Sequence, residues 1–378
     1  MHFVIAVDVD GVVTPEELRR QIADRVPYAP ELRRMLRYAL GGRGRPVWID
    51  DPKFDISRHI SADLEQGTRD EVHAALLQRN MSRDRPLWRM NLRADGTAST
   101  VYLSIHHAMM DGGLLAHFLA AVFPAEGSTA PPAPTWRQSR PPSQVELLAL
   151  LVAGRLSRLT RRVRRSGHVV RSAATAEPRL LGGAIAERRV VGSAELALSA
   201  VRTRARSAGV TVNDYFLFAV TESLREGLPQ LGLSPLPTSV IGLMPRSIRD
   251  VDEARAIGNR TRRRAVPLPV GEPRPGHRLQ AIRAATEAAK AADPGISDPG
   301  PFDISVSNVR YGGPHAIAGH PVLREHSCAP LRDTRVLAVA TSYLDRLVVT
   351  YTADADLISD PGLLADLTVA ALNRDLPI

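Results

Sequence analysis

The sequence predicts an α/β protein built as two lobes, on three observations. Short apolar runs with strand alternation are interleaved with helical patterns along the whole chain. Strands and helices recur in similar proportion on either side of a proline-rich crossover. A length of 378 residues, 44% of them apolar, also suits two domains better than one. We place the lobes at residues 1–125 and 186–378, joined by a linker and basic helix over 126–185.

His2 to Asp8 reads as a buried strand. It leads into Thr14-Pro15-Glu16-Glu17, where threonine caps, proline suits the first helical position and Glu17 closes a capping box. A helix over Pro15 to Val26 follows, then a second over Pro30 to Tyr38. Trp48 to His59 is irregular and acidic, and Ala62 to Gln78 is helical. Pro86 to Leu92 and Thr100 to Ile105 form a hairpin turning through Ala94 to Thr97. Leu114 to Phe123 is an apolar helix.

Pro131, Pro132, Pro134, Pro141 and Pro142 then exclude regular structure. Beyond them, Leu148, Leu151, Val152, Leu156, Leu159 and Val163 keep helical spacing. Arg155, Arg158, Arg161, Arg162, Arg164 and Arg165 lie on the other face, which fits a solvated inter-domain helix or peripheral contact with a membrane or carrier protein. In the second lobe Glu187 to Val191 is a strand and Ala194 to Ala208 a helix. Thr211 caps a helix running to Arg225. Strands follow at Ser239 to Met244, Ser305 to Val309, Val336 to Tyr343 and Arg346 to Tyr351, with helices at Arg278 to Ala292 and Pro361 to Leu372.

Composition excludes several classes. The lone Cys328 allows neither an intrachain disulfide nor a cysteine-rich zinc site. No basic segment followed by an apolar one marks secretion, and no apolar run approaches the ~20 residues of a membrane span. A cytoplasmic protein, peripheral to membrane at most, is expected. The net charge of +9 comes almost wholly from arginine, Lys53 and Lys290 being the lysines. It suits anionic partners such as coenzyme phosphates or an acidic carrier. With aromatics at 4% and no nucleic-acid motif, nucleic acid is not expected.

The most chemically informative segment is His106-His107-Ala-Met-Met-Asp111-Gly112, at the end of the Thr100 to Ile105 strand. Histidine at a rigid strand end is well placed for proton transfer near neutral pH. Two structural histidines, or a metal cluster with Asp111 and His117, are the alternatives. Metal is disfavoured because His107 and Asp111 straddle a strand-helix junction and no third ligand stands at a metal spacing. The Asp8-Val-Asp10 pair after a strand resembles an aspartyl-phosphatase motif but lacks the lysine and downstream acids that chemistry needs. No Gly-x-Ser-x-Gly elbow supports a serine hydrolase.

Further segments stand in a fixed order: Trp48 to His59, Pro86-Leu-Trp88, the histidine motif, Asn213-Asp214, Met244-Pro245-Arg246-Ser-Ile-Arg249, Gly258-Asn259-Arg260, Ser307-Asn308 and Gly313-Pro314. In this order the chain resembles the bacterial wax ester synthase/diacylglycerol acyltransferase family, of the chloramphenicol acetyltransferase and condensation-domain superfamily, over residues 2 to 370. The resemblance implies two similar lobes flanking a central substrate tunnel. It places His107 at the centre, His106 in support, and Asp111 as a structural residue that orients the loop and pairs with an arginine. Gly112, Asn213, Asp214, Ser307 and Asn308 are implied substrate-binding positions.

The chain departs from the family in lacking a Pro-Leu-Ser-Pro-x-Asp opening. It also carries Tyr343-Leu344-Asp345 where Tyr-Asn-Gly is usual, so an acceptor other than a lipid alcohol stays open. The expected activity is O-acyl transfer from acyl-CoA or an acyl-carrier protein to an alcohol, with His107 as general base, an oxyanion donor at Ser307 or Asn308, and no further cofactor. Amide or other bond formation on the same fold, and a non-catalytic relative that binds a lipid or partner, are the alternatives.

Overall fold

The computed structural model describes residues 1–39, 46–64, 66–128, 140–149, 152, 179–249, 257–298 and 300–375. The predicted proline-rich linker lies mostly outside them, as does the arginine-bearing part of the helix after it. No helix among the described residues is long and apolar enough to cross a membrane.

The first lobe is a six-stranded sheet in the order β11 (Ala316–Ile317), β12 (His320–Cys328), β1 (His2–Val9), β6 (Ala98–His106), β5 (Trp88–Asp95) and β4 (Ile60–Ser61). Its centre is β1 (His2–Val9), paired antiparallel with β6 (Ala98–His106), which pairs in turn with β5 (Trp88–Asp95). The β5–β6 turn closes at Gly96, whose positive φ of 60° is the reason a glycine stands there. Helix α1 (Pro15–Arg25) begins with the predicted Thr14/Glu17 capping box. The predicted second helix is instead a 3₁₀ turn, Pro30–Arg33, followed by β2 (Arg34–Arg37) paired with β3 (Val47–Asp50). A proline-led turn too short to propagate as α-helix gives way to strand pairing. Helix α2 spans Arg69–Gln78, starting later than predicted because Thr68 and Glu71 form its capping box. Helix α3 spans Gly112–Val122.

The second sheet runs β7-β14-β13-β10-β8-β9. Its strands are β7 (Arg189–Ala197), β8 (Val240–Ser247), β9 (Thr261–Leu268), β10 (Ile304–Arg310), β13 (Val336–Tyr343) and β14 (Arg346–Asp354). Helices α4 (Leu198–Ser207), α5 (Val212–Gln230), α6 (Pro275–Ala291) and α7 (Pro361–Asn373) are its other elements, and all four supply side chains to the core on its far face. β7 runs on to Ala197, so α4 starts four residues later than Ala194, where the sequence put it.

Strands β11 (Ala316–Ile317) and β12 (His320–Cys328) follow β10 in the chain yet belong to the first sheet, β12 lying beside β1. The second half of the chain thus lends an edge to the first lobe. This crossover was not visible in the sequence, where His320 to Cys328 reads as polar. The same holds for β9, whose Arg264 is buried with its guanidinium on the carbonyls of Asp293 and Ile296.

The Leu344-Asp345 departure lies in the β13–β14 hairpin, away from the cavity described below. Asp345 accepts from the backbone N–H and hydroxyl of Ser199 at 2.7 and 2.8 Å, capping α4, whose own N-cap Ala197 has no acceptor. Leu344 holds a φ of 50°, in the left-handed region that costs a branched side chain about 1–2 kcal/mol. Its side chain is exposed, so little burial is at stake. Leu344→Asn is therefore expected to raise unfolding stability by about 1 kcal/mol in urea titrations; an unchanged midpoint would show that the turn carries no such strain.

Candidate functional site

The loop after β6 is fixed from both lobes through Asp111. As N-cap of α3 it accepts the N–H groups of Gly113 and Leu114, both at 3.1 Å. The same carboxylate accepts Arg249 Nε at 3.0 and 3.1 Å and the backbone N–H of Arg260 at 2.8 Å. Burial alone pushes the Asp111 carboxyl up. Arg249 and the N–H groups of Arg260 and Leu114 outweigh it and hold the group below the usual carboxylate range. The Gly258 N–H donates to the Met109 carbonyl at 2.7 Å, and Met110 bridges to Gly258. The strap leading into β9 thereby clamps the first lobe's histidine loop.

His107 leaves β6 with its N–H on the Met1 carbonyl at 3.2 Å and its ring edge-on to Phe3, centroids 4.9 Å apart. Its Nδ1 is buried without a partner in full hydrogen-bond geometry, and the ring lines the cavity. Burial lowers its pKa to about 4; the Met110 carbonyl opposes that shift, and Arg332 is the strongest charged influence adding to it. The ring is therefore neutral at physiological pH. His106 uses Nδ1 to accept the Ala108 N–H at 3.1 Å, which braces the turn. Burial likewise takes its pKa to about 4.

Both histidines line a cavity of about 830 Å³ between the two sheets. The first lobe contributes Phe3, Gly112 and Leu115, and the second contributes Leu243, Ser305, Ser307 and Val339. Gly112 comes so close to β10 that an added Cβ would stand 3.4 Å from Val309. Of the lining hydroxyls, Ser305 pairs with Thr334, Ser327 with Thr341, Thr261 with Asn259, and Ser297 accepts the Arg263 N–H. The Ser307 hydroxyl makes no hydrogen bond among the described residues, and the residue lines the cavity.

The structure thus brings together His106, His107, Gly112 and Ser307, with Asp111 behind them. Asn308 is exposed, one residue out of phase with Ser307 on β10, and does not line the cavity. Asn213 and Asp214 are not there either. Asp214 is the third residue of α5, closing a capping box with Thr211 and accepting the Thr286 hydroxyl at 2.7 Å. Asn213 faces Met244 Sδ at 3.7 Å. An Asn-Asp pair at a helix start serves capping as well as it serves a ligand, and here the capping use prevails. Sequence reasoning missed Asn259, Arg263 and Arg332 as lining residues. Only Asn259 had a signal, in the Gly258-Asn259-Arg260 segment.

Two α/β lobes enclosing a histidine-bearing cavity give the two-lobed fold of the chloramphenicol acetyltransferase and condensation-domain kind. A model of the wax ester synthase/diacylglycerol acyltransferase catalytic domain matches residues 6–216, and one of the C-terminal domain of that family matches 299–374. The chain belongs to this family and is an O-acyltransferase. It is 28% identical over 368 residues to the probable diacyglycerol O-acyltransferase tgs1 of Mycobacterium tuberculosis, covering 85% of this chain and 79% of that one. Among solved structures it is similar to the wax ester synthase/diacylglycerol acyltransferase of Marinobacter aquaeolei VT8, at a TM-score of 0.65 and 19% identity over 98% of this chain and 93% of that one. It is also similar to the first condensation domain of the calcium-dependent antibiotic synthetase, at a TM-score of 0.68 and 17% identity over 100% and 92%.

Proposed function

We propose that the protein moves an acyl group from a thioester, acyl-CoA or acyl-carrier protein, to an alcohol, with His107 as general base. The observation that carries this reading is a neutral imidazole, fixed at a strand end, in the wall of a cavity lined by both lobes. An alcohol attacks poorly at neutral pH unless its proton leaves as the C–O bond forms. Nε2 of His107 takes that proton, and the oxygen adds to the thioester carbonyl. Ser307 is the donor best placed to hold the oxyanion, because its hydroxyl is otherwise unengaged. Collapse breaks the C–S bond, and His107 returns the proton to the departing thiolate. No covalent enzyme intermediate is needed, and holding both substrates in one cavity supplies proximity.

The test is release of free thiol from acyl-CoA that depends on an added alcohol, with the ester identified by mass spectrometry. An amide product from an amine acceptor would instead support the condensation-type alternative. Thioester-independent binding without turnover would support a non-catalytic role.

The pH dependence has a definite sign. Protonated His107 cannot accept a proton, so kcat/KM falls as pH drops through the histidine's pKa in the free enzyme. With that pKa lowered to about 4, the profile is expected to stay flat down to about pH 5 and lose activity only below it. An acid limb near pH 6.5, where an unperturbed histidine titrates, would contradict the buried environment assigned to this ring.

A further inference from the structure

We infer that Arg332 is a specificity-determining residue that reads an anionic group, carboxylate or phosphate, on the acceptor alcohol, so that the preferred acceptor is a charged hydroxy compound and not a neutral lipid alcohol. This rests on the acyl-transfer reading and specifies its substrate class.

Arg332 lies in the loop between β12 and β13 and lines the same cavity as His107. It is exposed and has no carboxylate or hydrogen-bond partner among the described residues. The other charged side chains of the lining are already matched. Arg263 and Asp333 form an ion pair at 3.4 Å, and the Arg263 guanidinium also lies over the Phe302 ring. Both histidines are neutral. Arg332 is therefore the uncompensated cationic side chain among the described residues of the cavity wall, which the Met1 α-amino group also lines.

A neutral lipid acceptor leaves that guanidinium nothing to meet, whereas a carboxylate or phosphate forms the charge-assisted, bidentate contact for which arginine is suited. Coenzyme phosphates are the other anion source. The full length of the pantetheine arm separates them from the reacting sulfur, whereas Arg332 and His107 line one and the same cavity. Proximity favours the acceptor.

The experiment measures thiol release from octanoyl-CoA with acceptors matched in skeleton and differing in charge: hydroxyhexanoate against hydroxyhexanamide, and glycerol phosphate against glycerol. In the wild type the anionic member of each pair is expected to have the higher kcat/KM by about ten- to hundredfold, mostly through KM. Arg332→Met should bring the ratio close to one, and Arg332→Lys should restore part of it. Equal use of both members by the wild type, or a ratio unmoved by Arg332→Met, would overturn the inference.

Repeating the assay with octanoyl-pantetheine separates the two anion sources. If Arg332→Met weakened octanoyl-CoA alone and left the acceptor ratio intact, the arginine would be reading the coenzyme. Should no acceptor elicit thiol release, the acyl-transfer reading itself fails. Calorimetric binding of hydroxyhexanoate and its amide to wild type and Arg332→Met then still decides the matter: charge-selective binding lost in the variant supports the anion site, and its absence sinks it.

Discussion

Replacing His107 by alanine is expected to slow alcohol-dependent thiol release by about 10²–10⁴-fold while the protein remains folded. The fold should tolerate the change because the ring contributes little to stability. Its Nδ1 is buried without a partner in full hydrogen-bond geometry, a desolvation cost that the substitution removes, and its ring meets the Phe3 ring edge-on. His106 cannot take over, since its Nδ1 is committed to the Ala108 N–H. The vacated ring space opens onto the cavity, so added imidazole should enter and recover part of the rate. An unchanged rate in a folded His107→Ala protein would remove the general-base assignment, and the imidazole arm guards against a merely distorted loop.

The parts of this site that were legible in the sequence are those set by local patterns. Alternation located β1 and β6, and therefore the strand end that carries His106 and His107. Thr14 with Glu17 and Thr211 with Asp214 announced helix starts through spacing alone. What stayed hidden depends on contacts distant in the chain. β12 buries Glu325, His326 and Ser327, so no apolar alternation marks it, and its place beside β1 follows from a crossover that no local pattern encodes. Arg332 reaches the cavity only because that crossover carries the loop after β12 across to it. Asn213 and Asp214 were misplaced for the opposite reason: their local signal was sound, but it was a capping signal.

Removing the Asp111 carboxylate should have the largest effect on stability. Asp111→Ala is expected to cost about 3–5 kcal/mol, because it removes the carboxylate facing the Arg249 guanidinium in a site where the two side chains are only 6% and 3% exposed. Loss of the α3 cap adds about 1 kcal/mol. The Arg260 N–H also loses its acceptor, loosening the strap that holds Gly258 against Met109. If the main penalty is the broken ion pair, adding Arg249→Met to Asp111→Ala should recover a substantial part of it, since an apolar side chain there takes the buried cation away. Urea denaturation of the two single variants and the double variant measures this coupling directly. Additive losses would mean that the pair is not what holds the loop. A folded, fully stable Asp111→Ala protein devoid of activity would move Asp111 from positioning the histidine loop to the chemistry itself. The structure favours the first outcome, because every partner of this carboxylate belongs to the loop, its helix or the strap across it, and the carboxylate itself does not line the cavity.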